Sequence, residues 1–513
     1  VVLFDFKPDS SALRMRFTLS LFSFRSAVGG VALGLLTTVG AAAQATRFTA
    51  AQLQPDARML RAALEQLHPG LYRHVDSVDA NKRFMALEDQ WAQPQTLPHA
   101  YRDLTLLLAG LRDAHTYANP LNQNKAVRGA LFERPTCLPL HFRIIDKRMI
   151  VTAAVDSGAL PRGTEILSID DRPVAVILDS LLPAVRADGA NDGNRLDRLE
   201  LTDDEPVESF DALYPLFFSV GRSFALTVKA SDKAAPRTVV VGAVPAVARK
   251  SALARRGADH HWRLTFPDRR TARLTLPDFV TWRDPKFDWK KWLAESFATI
   301  QSKGADALIL DVRRCEGGND EVVTELLRYL TTQPLTRVPQ RQLWRTDHVP
   351  DNLLPFLDSW DPALKKLNPA DFRHATDGGY ERIAERAARV PLKPHPTAFS
   401  GKHIYALCGP RNSSASFQLL QELQAARLAT LVGRPTGGNR RGTSGGKFFL
   451  LRLPNTGLEV DVPLISYAPL RAQPDEGLEP DDVVEHTVEG LRAGIDPEMA
   501  RVSELLRDER TER

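Results

Sequence analysis

Residues 307–312 read ALILDV, an apolar run broken only by an aspartate near its end. A strand points successive side chains to opposite faces, so a run without polar alternation has to be covered on both sides. From Ala272 onward, similar apolar stretches ("ARLTLPDF", "KHIYALCG", "LATLVG", "GLEVDVPLISY") mostly alternate with segments of helical period, "FDWKKWLAESFATIQSKG", "NDEVVTELLRYLTTQP" and "SASFQLLQELQAAR". This alternation predicts an α/β layered core over residues 262–485. Within it, the polar stretch 335–400, rich in proline and aromatics, is expected to form a cap or lid.

The rest of the chain has a different pattern. Apolar residues at three- and four-residue spacing, broken by His68-Pro69-Gly70 and Leu97-Pro98-His99, predict an N-terminal helical segment over 46–130. Short strands separated by glycine and proline predict a β-rich module over 137–247, and 486–513 reads as a helical tail. At 513 residues the chain exceeds one ordinary hydrophobic core. Its net charge of +4, without a clustered basic stretch, gives no sign of a nucleic-acid partner.

Residues 1–45 are expected to be an export signal with extra residues upstream of Met15. Arg16 and Arg25 precede the uncharged run "AVGGVALGLLTTVGAAAQA", which ends in the small-x-small triplet Ala43-Gln44-Ala45. The run is short for a permanent membrane span, so the expected location is periplasmic or secreted. Cys137, Cys315 and Cys408 match neither a zinc pattern nor a disulfide framework, and they read as small buried apolar residues.

Two strand-to-helix junctions carry the chemistry. In "LILDVRRCEGGNDEVV" the paired Gly317 and Gly318 stand where a helix begins, and free backbone N–H groups there can face a developing oxyanion. In "IYALCGPRNSSASFQLLQEL" three serines, Ser413, Ser414 and Ser416, open the next helix. Serine at such a place is either a cap or an exposed nucleophile beside a positive dipole end.

These motifs resemble those of the tail-specific or C-terminal processing peptidases and the tricorn core protease, whose "DLRGNxGG", "SASE" and "LVG-x-x-T-x-G" correspond to "DVRRCEGG", "SASF" and "LVGRPTGG" here. The resemblance implies a crotonase-like core behind a helical segment and a degenerate PDZ-like module, in which Gly163, Ile166, Ile169 and Asp170-Asp171 fall at a PDZ-type hairpin. It also implies that Ser414 is the nucleophile, with the N–H of Ala415 and that of Gly317 or Gly318 forming the oxyanion hole.

The chain departs from the processing peptidases at the activating group. Their lysine would fall at Asn439, which cannot accept a proton, and Phe417 replaces their glutamate. Lys447 lies eight residues further on and is expected to begin the next strand. The tricorn-like branch takes its base from a histidine in the N-terminal segment, and "LAGLRDAHTYANP" offers His115. That pattern further implies Glu476 as the group orienting the imidazole, with Asp475 as the neighbouring choice.

The expectation is therefore an exported serine peptidase acting on peptides or proteins without metal or organic cofactor. The alternative is a non-catalytic binder of hydrophobic ligands or peptides, since interphotoreceptor retinoid-binding protein shares this core. Ser414, His115 and the paired glycines would have no chemical reason to persist together in such a carrier.

Overall fold

The structure is a computed structural model that describes residues 47–254, 262–376, 378–383 and 390–511. The expected export signal lies outside these residues. Four helices, Ala50–Leu67, Ser77–Gln90, Leu97–Gly110 and Lys125–Leu131, build the N-terminal region. Asp76 and Asn124 cap the second and fourth by accepting from the N–H groups of Asp79 and Val127.

The β-rich module is an antiparallel sheet in the order Leu140–Ile145, Arg148–Ala154, Glu165–Ile169, Ser223–Lys229, Arg237–Gly242. Asp170 and Asp171, both at positive φ, turn Glu165–Ile169 back onto Arg172–Pro173, in the tight hairpin that the Asp-Asp pair predicts. Three helices, Val174–Leu181, Asp192–Leu199 and Ser209–Phe217, fill the connection between its third and fourth long strands.

The α/β core holds a six-stranded sheet in the order Asp482–Val483, Thr430–Gly433, His403–Cys408, Ala307–Asp311, Thr271–Thr275, Arg263–Asp268. It is parallel except at the last pair. The ALILD strand is buried along its whole length, and its residues divide between two cores. Leu308 and Leu310 pack with Phe297, Leu326 and Leu420 from the helices Trp289–Ser302, Asp320–Leu330 and Ser414–Ala425. Ala307 and Ile309 pack on the other face with Val502 and Leu506 of the C-terminal helix Pro497–Thr511.

The long strands Thr443–Arg452 and Glu459–Pro469 form a second, antiparallel sheet. The insertion expected as a cap adds four strands to it, Gln340–Trp344, Leu357–Asp358, Phe372–His374 and Tyr380–Arg382. Its aromatic content explains this placement: Trp344, Leu357 and Phe372 are buried in one core with Phe449 and Leu451 of the long strand and with the N-terminal helices. No described helix is long and apolar enough to cross a membrane.

Candidate active site

The two junctions are fastened to each other by side chains of the serine loop. Asn412, fully buried, donates to the carbonyls of Val312 (2.7 Å) and Cys315 (3.0 Å). Ser413 Oγ donates to the Glu316 carbonyl at 3.1 Å, and Ser416 Oγ lies 2.6 Å from the Cys315 carbonyl and 2.9 Å from that of Ser413. Ser413 occupies the N-cap position, but its side chain makes no capping bond to the helix. Ser414 differs from both: its hydroxyl has no hydrogen-bond partner among the described residues, it is half-buried, and its φ is +51°. A non-glycine residue in the left-handed region is strained, and the surrounding structure has to hold it there.

The paired glycines lie against this serine. A Cβ on Gly317 (φ +129°) would stand 3.0 Å from the Ala415 nitrogen, the Ser413 carbonyl oxygen and Ser414 Cβ alike. Gly318 (φ +140°) packs on the Phe279 backbone, whose N–H donates to the Gly317 carbonyl while its carbonyl accepts from Asn319. The N–H groups of Gly318 and Ala415 have no acceptor among the described residues, whereas the Gly317 backbone hydrogen-bonds the buried Cys315 thiol, whose pKa burial pushes up. Phe417, at the family's glutamate position, packs closely on Gly438, where a Cβ would fall 2.3 Å from the ring.

His115 lies on the loop after the helix Leu97–Gly110, and the adjacent Tyr117–Asp461 bridge joins this loop to the second sheet. Its Nδ1 is 3.4 Å from Thr443 Oγ1, which donates onward to Asp188 Oδ2 at 3.2 Å. Asp188 is fully buried, and its other oxygen accepts from the Ala114 N–H at 2.8 Å. Asp113 accepts from the His115 N–H at 3.1 Å and from Thr116 Oγ1 at 3.1 Å. Burial alone would raise the Asp113 pKa, but His68, Arg73 and His115 hold its carboxyl well below the usual range. His115 also interacts electrostatically with Asp320, the first residue of the helix after Gly318.

Asp113, His115 and Asp188 each offer a ligand atom within 4.8 Å of the others, as a metal site would require. Asp188 accepts on both oxygens and Asp113 accepts twice on Oδ1, while Asp113 Oδ2, without a hydrogen bond among the described residues, faces His68 Nε2 at 3.6 Å and the Arg73 guanidinium at 3.8 Å; with that cation beside it, this donor set reads as a setting for the imidazole.

The other residues singled out in the sequence lie elsewhere. Glu476 is 60% exposed and pairs with Arg440 at 3.1 Å. Asp475 accepts from Asn439 Nδ2 at 2.6 Å and from the Ala190 N–H at 3.1 Å, and lies 3.5 Å from His74. Asn439 is buried as a structural amide at the position of the missing lysine. Lys447 lies within the strand that begins at Thr443, and its ammonium pairs with Asp361 at 3.0 Å. Thr443 and Asp188 carry no signal in the sequence, where Thr-Ser-Gly-Gly and Asp-Gly look like ordinary turns; only the fold brings them to His115.

Residues 270–484 match the model of peptidase family S41. Among solved structures, mature CPAF complexed with lactacystin is 15% identical with a TM-score of 0.56, over 86% of this chain and 95% of that one. A CPAF mutant gives 16% and 0.57 over 86% and 94%, and mature CPAF alone gives 16% and 0.53 over the same shares. No curated protein sequence is similar enough to count as a match. The structural likeness concerns the fold; together with the family match over the junctions just described, it makes the chain a serine peptidase.

Proposed function

We propose that the chain is an exported peptidase of the Ser-His type, in which Ser414 attacks the scissile carbonyl of a peptide and forms an acyl-enzyme. One observation carries this reading: of the three serines, only Ser414 has no hydrogen-bond partner among the described residues, and it is held in a strained backbone conformation against Gly317. His115 takes the serine proton and returns it to the leaving amine. Its Nδ1–H donates to Thr443, which donates to Asp188, and this order leaves Nε2 as the basic nitrogen. The Ala415 and Gly318 N–H groups receive the oxyanion. This assigns the orienting role to Thr443 and Asp188 in place of Glu476, whose carboxylate pairs with Arg440.

The antiparallel module is the PDZ-like unit in this reading, and it takes the substrate as an added strand. His115 in the N-terminal segment, with Asn439 where the processing peptidases carry their lysine, supports the tricorn-like branch in this reading, and residues 1–45 act as its export signal. N-terminal sequencing of the secreted or periplasmic protein should begin near Gln44 or Thr46; an intact N-terminus in the cytoplasm would refute export.

The test of the site is mass-spectrometric mapping after treatment with a fluorophosphonate probe. Ser414 should carry the label, and Ser414→Ala should abolish labelling and casein hydrolysis, whereas Lys447→Ala should retain both. A label on Ser413 would displace the nucleophile by one residue. Absence of any label, with lipid bound to the purified protein, would favour the non-catalytic carrier.

A further inference from the structure

We propose that Arg186 is a positioning residue of this peptidase, holding the loop that carries the base at a fixed separation from the loop that carries the oxyanion donors. The inference rests on the site assignment above. Arg186 lies between the short turn Leu182–Ala184 and the helix Asp192–Leu199, remote in sequence from both loops. Its Nη1 donates to the carbonyl of Ala114, immediately before His115, at 2.7 Å. Its Nη2 donates to Glu316 Oε1, immediately before Gly317, at 2.9 Å. The guanidinium plane also sits over the ring of Tyr117, with 4.1 Å from Cζ to the ring centroid.

The far end of this bridge is itself anchored. The Glu316 carboxylate receives a second bond from Arg198, whose Nε is fixed by Asn194 at 2.9 Å. The Glu316 carbonyl receives Ser413 Oγ, the residue before the nucleophile. One side chain thus ties the His115 loop to a glutamate whose backbone borders Gly317 and binds the serine loop. A planar fork with divergent donors can span a carbonyl and a carboxylate together, and the point charge of lysine cannot.

The bridge is better suited to geometry than to stability. Arg186 and Glu316 retain 22% and 27% side-chain exposure, and Glu316 keeps Arg198 as a second partner, so loss of Arg186 does not leave its carboxylate unpaired. Catalysis is far more sensitive, since a displacement of about 1 Å between reacting groups costs on the order of 100-fold in rate. A cavity of about 110 Å³, lined by Tyr117, Arg186, Arg198 and Arg411 among others, adjoins the guanidinium. It gives a small cation a route to the same place.

The experiment compares the full chain with its Arg186→Ala, Arg186→Lys and Glu316→Gln variants. It measures the rate of fluorophosphonate labelling, the kcat and KM for labelled casein, and the melting temperature. Arg186→Ala should melt close to the parent, keep its KM and label about 100-fold more slowly. Methylguanidinium in the buffer should restore much of that loss, whereas methylammonium at equal concentration should not, and Arg186→Lys should recover only a small part. Glu316→Gln keeps the shape and removes the charged anchor, so it should also slow labelling with KM unchanged, which tests the idea should Arg186→Ala fail to fold. Parent-like labelling in Arg186→Ala or Glu316→Gln would overturn the inference while leaving the site assignment intact, as would equal rescue by both cations. A parent that does not label would sink the site assignment and this inference with it.

Discussion

His115 Nδ1 lies 3.4 Å from Thr443 Oγ1, and the same hydroxyl reaches the fully buried Asp188 at 3.2 Å. A hydroxyl can accept from the imidazole and donate to the carboxylate at once, so the relay selects one tautomer. Thr443→Val keeps the side-chain shape and removes both bonds. It should slow fluorophosphonate labelling by about 10- to 100-fold, less than the ~10⁴ that follows loss of a directly bound carboxylate partner in serine peptidases. Asp188→Asn should slow it as well, and Glu476→Gln should label like the parent. A slow Glu476→Gln beside a normal Thr443→Val would return the orienting role to Glu476.

The strain at Ser414 makes a prediction that reverses the usual effect of glycine in a helix. At φ +51° a side chain costs about 1 kcal/mol that glycine does not incur. Ser414→Gly should therefore unfold at a higher urea concentration than Ser414→Ala, although neither can be acylated. Ser416→Ala, by contrast, removes a fully buried hydroxyl from two carbonyls and should lose about 1–3 kcal/mol. If Ser414→Gly proves less stable than Ser414→Ala, the positive φ is not a strained conformation held by its surroundings.

The sequence made the layered core legible because burial on both faces leaves an unmistakable apolar run, and residues 307–311 lie between two cores as that run requires. Ser414 and the glycine pair were legible for a similar reason: they sit at strand-to-helix junctions, where residue type and position are local. The setting of His115 was not. Thr443 and Asp188 are 328 and 73 positions from it, on a strand of the second sheet and in the turn before the helix Asp192–Leu199, and no periodicity in either segment points at an imidazole. The insertion 335–400, expected as a cap, contributes four strands to the second sheet, and its prolines and polar residues leave no two-residue alternation to announce them; Trp344 and Phe372, with ring centroids 5.5 Å apart, anchor it there.

Glu208 gives a dependence of stability on pH. Burial pushes its pKa from 4.5 up to about 8, outweighing the opposing Arg411, and one of its carboxyl oxygens has no hydrogen-bond partner among the described residues. The folded chain thus holds a proton that the unfolded chain releases above pH 4.5. The contribution is most favourable below that pH, declines as pH rises toward 8, and is constant beyond it, with a span on the order of several kcal/mol. Glu208→Gln keeps the acceptor used by the Glu205 N–H and removes the titration. Urea midpoints measured at pH 5 and pH 8 should converge in that variant relative to the parent. An unchanged difference would mean that Glu208 titrates normally.

The two glycines of the oxyanion loop should fail differently when each is given a methyl group. On Gly318 the new Cβ would fall 2.4 Å from both the carbon and the oxygen of the Phe279 carbonyl, which are backbone atoms fixed by the Gly317–Phe279–Asn319 hydrogen bonds. That contact cannot be relieved by a side-chain rotation, so Gly318→Ala should lower the melting temperature clearly. On Gly317 the three nearest atoms all stand at 3.0 Å, and they belong to Ser413, Ser414 and Ala415. A shift of a few tenths of an ångström accommodates the methyl, but it moves the nucleophile and the Ala415 donor away from the glycine loop. The φ of +129° at Gly317 adds backbone strain for any side chain, so Gly317→Ala should lose some stability, less than Gly318→Ala, and about 100-fold in labelling rate, the scale of removing one oxyanion donor. Gly242→Ala, where the methyl meets nothing within 4 Å, is the control for the general cost of adding a side chain. If Gly317→Ala labels as fast as Gly242→Ala, the glycine loop takes no part in stabilising the oxyanion, and the donors have to be sought elsewhere around Ser414.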